Sequence, residues 1–174
     1  MVYVHYGFSV FLPELFVPVR NGQWKPKPDD GTGLWACREG DAHGWREWCR
    51  RSGLAVYADD NCFRFTLAPG AKVLELHDPA QLEELPKAKP LPELERLLNL
   101  TSDWVMLDYE KLLADGYDAI ELTDWYALRH RLALWDCNCL FVMNPKVIVE
   151  VESGKDNSGA SNVTVSSRNK ALKR

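Results

Sequence analysis

The chain has 174 residues, 46% hydrophobic and 26% charged, with a net charge of −4. This is the composition of a globular protein with one domain's worth of buried core, and it excludes collagen-like, wholly disordered and membrane-spanning classes. So balanced a charge gives no bulk electrostatic drive onto nucleic acid or an anionic membrane.

Val2–Tyr6 alternates and is β-rich, and Gly7 permits a turn before the apolar stretch Phe8–Phe16. Residues 18–33 hold Pro18, Pro26, Pro28, Gly22, Gly31 and Gly33, which predicts a long loop of the kind that is usually functional or mobile. Gly33–Cys37 reads as a short strand and Asp41–Arg51 as an amphipathic helix ended by Gly53. Strands follow at Leu54–Ala58, Cys62–Leu67 and Lys72–Leu76, with Ala68-Pro69-Gly70-Ala71 turning between the last two. Asp78-Pro79 opens a short helix that Pro86 stops, Leu91–Leu100 is a second helix, and Asp108–Ala114 a third, capped by Asp108 and closed by Gly116. Asp118–Leu122 is a strand, Trp125–Leu134 fits either state, and Cys137–Met143 and Lys146–Val151 are strands bent apart at Asn144-Pro145. Many short strands with two groups of helices predict an α+β fold rather than alternating βαβ units.

The charge divides the chain. Residues 1–151 carry 23 acids and 16 bases, a net of −7, whereas 152–174 carry a net of +3. The second segment is rich in Ser, Asn and Gly and has no aromatic residue. It cannot offset its ordering entropy by burial, so it reads as a flexible basic tail, either a plain disordered end or an arm for an acidic partner. The domain is therefore residues 1–151.

Five cysteines form an odd set, and no charged start with an apolar run precedes them. The expectation is a cytoplasmic protein with reduced thiols and no membrane partner. No C-x-x-C pair is present, and Cys137-x-Cys139 lacks a second pair at finger spacing, so no metal is expected. G-x-G-x-x-G, the Walker loop, G-x-S-x-G and H-E-x-x-H are all absent. A nucleotide would have to be held without a Rossmann turn. The one unusual count is seven tryptophans against six Tyr and six Phe. An excess of indole marks stacking surfaces as well as core.

Several short motifs occur in a telling order: His5-Tyr6-Gly7 ends the first strand, and Gly33-Leu34-Trp35-Ala36 is followed by Trp45 on the next helix. Gly116-Tyr117-Asp118-Ala119-Ile120 comes next, then Trp135-Asp136-Cys137-Asn138 leading through Leu140–Met143 to Asn144-Pro145. Over most of residues 2–150 this order resembles the ADP-ribosyltransferase superfamily, in the branch of diphtheria-type toxins and poly(ADP-ribose) polymerases. That family carries a His on the first strand and a Gly-x-Tyr-x-Ala strand followed by an aromatic-bearing helix. A late strand then starts with an acid and runs into an Asp/Asn-Pro-like corner.

The resemblance implies split antiparallel or mixed β-sheets with short helices, NAD as the substrate, and transfer of ADP-ribose to a protein or nucleic-acid acceptor. His5 would bond a ribose hydroxyl, Tyr6 and Ala36 would line the site, and Gly7 would let the backbone approach the carboxamide. Trp35 and Trp45 would stack on the nicotinamide where the family has Tyr, keeping the stacking surface and losing a hydroxyl. Counting back from Asn144-Pro145 places the family's acid on Cys139. A one-residue bulge moves it to Asn138, with Asp136 two residues earlier on the same strand face. Asp136 is the expected catalytic acid and Asn138 the alternative.

Each residue also has a plainer reading: His5 as a strand-end histidine bonded to backbone, Trp35 and Trp45 as core, Asp136 as a turn cap. Arg129, His130 and Arg131 form a basic cluster, either a solvated face or a contact to pyrophosphate or nucleic acid. Small stand-alone members suit a bacterial or phage toxin or defence factor, which implies an inhibitor or antitoxin partner. Two other functions stay open. One is a catalytically inactive NAD-fold binding module. The other is an RNA 2′-phosphotransferase-like enzyme, which needs basic residues along the cleft.

Overall fold

The computed structural model of the chain describes residues 1–23, 25–54, 61–89, 91–93, 96, 103–132 and 134–153. Most of the predicted strand Leu54–Ala58 and helix Leu91–Leu100, together with Trp24 and the tail from 154, lie outside the described residues.

Seven strands form one mixed sheet: β1 (Tyr3–Tyr6), β2 (Leu34–Arg38), β3 (Cys62–Leu67), β4 (Val73–Leu76), β5 (Ala119–Leu122), β6 (Cys139–Val142) and β7 (Ile148–Ser153). Their order is β4-β5-β6-β2-β1-β3-β7, with β4 and β5 parallel and every other pair antiparallel. Among the described residues short helices accompany it, including α1 (Trp45–Arg51), α2 (Gln81–Glu84), α3 (Tyr109–Ala114) and α4 (Trp125–Leu128). The predicted α+β class stands.

Strand alternation separates two cores. One face packs Tyr3, Ala36, Phe63, Phe65, Leu140 and Val142. The other packs Cys37, Ile120, Leu122 and Phe141 against Leu112 of α3 and Leu128 of α4. β5 and β6 are buried at every position, as strands covered on both faces must be. The position that pattern makes costly is Glu121 of β5, only 3% exposed. Arg38 of β2 reaches across β6 and grips it with two charge-assisted hydrogen bonds of 2.6 and 2.8 Å. Tyr3 joins this cluster, and burial with Glu121 beside it pushes its phenol up to about 12.

Several boundaries move for local reasons. The predicted helix from Asp41 begins at Trp45, because the Asp41 carboxylate accepts the His43 N–H at 2.8 Å and closes a turn instead. The last strand begins at Ile148, since Pro145–Val147 forms a 3-10 turn capped by the Asn144 side chain on the Lys146 N–H. The open segment Trp125–Leu134 starts as helix α4, capped by Asp124 on the Ala127 N–H. Asp108 caps α3 as predicted.

Removing one partner of a buried ion pair leaves the other uncompensated. Glu121→Ala should lower the urea midpoint by an amount worth about 2–4 kcal/mol, short of a fully buried pair because Arg38 keeps 34% of its side chain exposed. The double variant Arg38→Met/Glu121→Leu should recover most of that loss.

Candidate functional site

A cavity of about 380 Å³ opens between β1 and β2. These strands pair at only two positions, Tyr3↔Arg38 and Val4↔Cys37. Beyond them β1 stays with β3, where His5 opposes Phe63 and Tyr6 opposes Cys62, while Trp35 and Ala36 stay with β6. The sheet is thus pinched rather than divided, and the cavity occupies the gap.

His5 bridges that gap. Its Nδ1 lies 2.7 Å from the Trp35 carbonyl. A carbonyl only accepts, so Nδ1 carries the proton and Nε2 is left as a bare acceptor. Nε2 is buried and has no partner among the described residues. Phe8 stacks parallel to the ring at 5.8 Å and Phe63 lies tilted at 5.0 Å, which fixes its plane. Burial lowers the imidazole pKa, outweighing the backbone bond to Trp35, so the ring is neutral at pH 7. His5 lines the cavity, but Nε2 itself is sealed from solvent on the Gly7 side, so a ligand hydroxyl would reach it only once its cover moves.

Trp35 and Trp45 both line the cavity and make no ring contact with each other. The Trp35 indole is held edge-on to Trp135 at 4.8 Å and tilted on Phe141 at 4.6 Å. Trp45 stacks on Trp48 at 5.0 Å, leaving one indole face to offer. The Cys37 thiol fixes α1 in place, accepting the Trp45 N–H and donating to the Asn138 carbonyl, each at 3.2 Å. Cys37, Cys137 and Cys139 line the cavity together. The Cys37 thiol pKa is raised by its contact with Cys137 and by burial, that of Cys137 by Cys139 and burial against the pull of Cys37, and that of Cys139 by burial against its contact with Cys137. They are neutral thiols, a weakly polar lining rather than nucleophiles.

Asp136 lines the same cavity and stays partly exposed. Partial desolvation raises its carboxyl pKa, against the attraction of Lys27. Leu134, 48% exposed and with φ of 66°, forms part of the rim. Six residues singled out in the sequence therefore converge here: His5, Tyr6, Ala36, Trp35, Trp45 and Asp136.

Two do not. Asn138 is not on the Asp136 strand face, because both precede β6 and the strand begins at Cys139. Its amide is spent holding structure, accepting the Trp125 N–H at 2.8 Å and donating to Asp41 at 3.3 Å. The Gly7 N–H, expected to meet a carboxamide, donates to the Asn61 carbonyl at 2.9 Å, while the Asn61 side chain caps the Gly7 carbonyl. Glycine is still required there by φ of 122°.

The basic cluster also points elsewhere. Arg129 lies over Trp125 and Tyr126, and Arg131 pairs with Glu83 at 2.6 Å. Lys27 is a cavity residue that motif reasoning missed, although it lies on the long loop expected to be functional or mobile. Among the described residues no group of three or more His, Cys, Asp or Glu is placed to hold a metal, and no helix is long and apolar enough to cross a membrane.

The folded-state pKa of His5 lies below its ordinary value of 6.5, so the unfolded chain takes up the proton first as pH falls. Its share of stability is complete above pH 6.5 and is lost below it. Thermal melts should show a fall between pH 7 and 5 that His5→Asn, which keeps a donor near Nδ1 and does not titrate, makes shallower. An unchanged slope in that variant would contradict a buried neutral His5. No protein-family model, curated protein or solved structure significantly matches the chain.

Proposed function

We propose that this protein is an ADP-ribosyltransferase that moves ADP-ribose from NAD to a macromolecular acceptor. One observation carries the reading: His5, Trp35, Trp45 and Asp136, spread over more than 130 residues of sequence, line a single cavity. Their chemistry matches the demands of the reaction. Indole faces suit a flat pyridinium ring, by stacking and by attraction of its positive charge. The His5 Nε2 lone pair is unpartnered and sealed from solvent, and it would accept a ribose hydroxyl and orient the sugar once its cover moves. The Asp136 carboxylate supplies negative charge where the ribose becomes an oxocarbenium-like cation.

The step balances simply. The glycosidic C–N bond breaks, and its electron pair returns to the ring nitrogen, releasing neutral nicotinamide. An acceptor lone pair then forms the new bond to the anomeric carbon, and the acceptor's proton leaves to Asp136 or to solvent. Water in place of the acceptor gives hydrolysis.

A binding-only module draws on a different observation: Asp136 is the only acid among the described cavity residues, on a short side chain that is partly exposed. The RNA 2′-phosphotransferase-like reading needs basic residues along the cavity, and the tail that could bring some lies outside the described residues. The basic cluster it needed lies away from the cavity, whose lining holds one cation, Lys27.

Incubation with NAD should release nicotinamide, measured by chromatography, and Asp136→Asn and His5→Ala should each slow release by about 10²–10³-fold. Because burial disfavours the Asp136 charge, Asp136→Asn should keep or raise Tm at pH 7. Binding of NAD by the wild type without release would favour the module. Unaltered turnover in either variant would remove the assigned roles.

A further inference from the structure

Lys27 is held over the cavity by a braced loop. Asn21 and Pro28 form an antiparallel bridge, and the Asp29 N–H donates to the Arg20 carbonyl at 2.9 Å. Gly22 lets the strands of this loop close: a Cβ there would lie 2.2 Å from the Lys27 carbonyl oxygen and 2.7 Å from that of Lys25. Asn21 ties the base to α3, its Nδ2 donating to Asp108 at 2.8 Å and its Oδ1 accepting the Tyr109 N–H at 2.7 Å. The two prolines flanking Lys27 are both buried. The loop therefore fixes where the ammonium goes, and 30% of the Lys27 side chain remains exposed.

A lysine so covered needs negative charge nearby. Asp30 is 3.7 Å away, long for an ion pair, and is held more closely by Lys25. The other carboxylate that Lys27 attracts is Asp136. Lys27 and Asp136 line the same cavity, so the ammonium shares that space with the group assigned to face the anomeric carbon.

We propose that Lys27 binds the 5′-phosphate on the nicotinamide ribose, so that the cavity recognises the mononucleotide half of NAD and leaves the adenosine half outside. This rests on the NAD-cleaving reading of the same cavity. The 5′-phosphate hangs one methylene from the sugar ring whose anomeric carbon faces Asp136, so a cation acting on Asp136 is in range of it. An ammonium is a compact point charge suited to phosphate. The cavity's 380 Å³ lies near the lower end of the roughly 300–1,000 Å³ typical of ligand sites, which fits a mononucleotide better than a dinucleotide. A phosphate on Lys27 also draws the ammonium's field away from Asp136, whose charge is then free for the developing cation.

The test is calorimetric titration of the full chain with carbocyclic analogues of nicotinamide riboside, nicotinamide mononucleotide and NAD, which cannot lose nicotinamide. The mononucleotide and NAD analogues should bind within about threefold of each other, and both about tenfold or more tighter than the riboside analogue at low salt. Lys27→Met should abolish that phosphate gain, lowering mononucleotide affinity far more than riboside affinity, and Lys27→Arg should keep most of it. The inference is overturned if the NAD analogue binds tenfold tighter than the mononucleotide analogue. It is also overturned if Lys27→Met leaves the phosphate gain intact, or weakens riboside and mononucleotide binding equally. Those outcomes leave the NAD-cleaving reading standing, whereas failure of all three analogues to bind the wild type removes both.

Discussion

The hydrogen bond from His5 Nδ1 to the Trp35 carbonyl is the contact on which the cavity depends. It spans the place where β1 and β2 part after two register pairs. An ordinary ladder would pair the Trp35 carbonyl with backbone and close the gap. A side chain does so here instead, and keeps the strands apart by the thickness of an imidazole. Such a bond contributes only about 0.5–1.5 kcal/mol net, but leaving the buried groups unpaired costs about 1–3 kcal/mol. The same bond fixes the tautomer, so the structural role of Nδ1 determines that Nε2 is an acceptor. Stability and function share one ring.

Among the described residues the other buried side-chain nitrogen and oxygen atoms are satisfied, which makes that free acceptor stand out. Glu121 has Arg38 and Tyr3 beside it. Asn138 uses its amide oxygen, its amide nitrogen and its backbone N–H, the last on the His43 carbonyl at 2.9 Å. In doing so it joins the 41–44 turn, the start of α4 and the approach to β6, and thereby places Asp136 two residues upstream. The Cys37 thiol performs a similar service for Trp45. The cavity walls are held by hydrogen bonds behind them, as a preorganised site requires.

Much of the fold was legible because its signals are local. Alternation marks β1, strand-like runs mark β3 and β6, Asp108 announces the start of α3, and Asn144-Pro145 marks the corner before β7. The Glu121–Arg38 pair was not, since a carboxylate inside a four-residue strand shows its burial only once β6 and β2 take their places beside it. For the site, the order of His5, Trp35, Trp45 and Asp136 was visible as a pattern, whereas their convergence required the sheet. Asn138 was misjudged because strand alternation was extended past the true start of β6 at Cys139. Gly7 was misjudged because Asn61, more than fifty residues away, takes its N–H. Lys27 carries no motif; its place comes from Gly22, two buried prolines and the anchor at Asn21, none of which names a ligand.

If the gap between β1 and β2 receives a nicotinamide ribose, a crystal structure of the complex with carba-NAD will show it. The pyridine ring should lie flat against Trp35 or Trp45, with a ribose hydroxyl within hydrogen-bond distance of His5 Nε2 and the Asp136 carboxylate facing the anomeric carbon. Ligand density at another surface, with the cavity between β1 and β2 left unfilled, would contradict it.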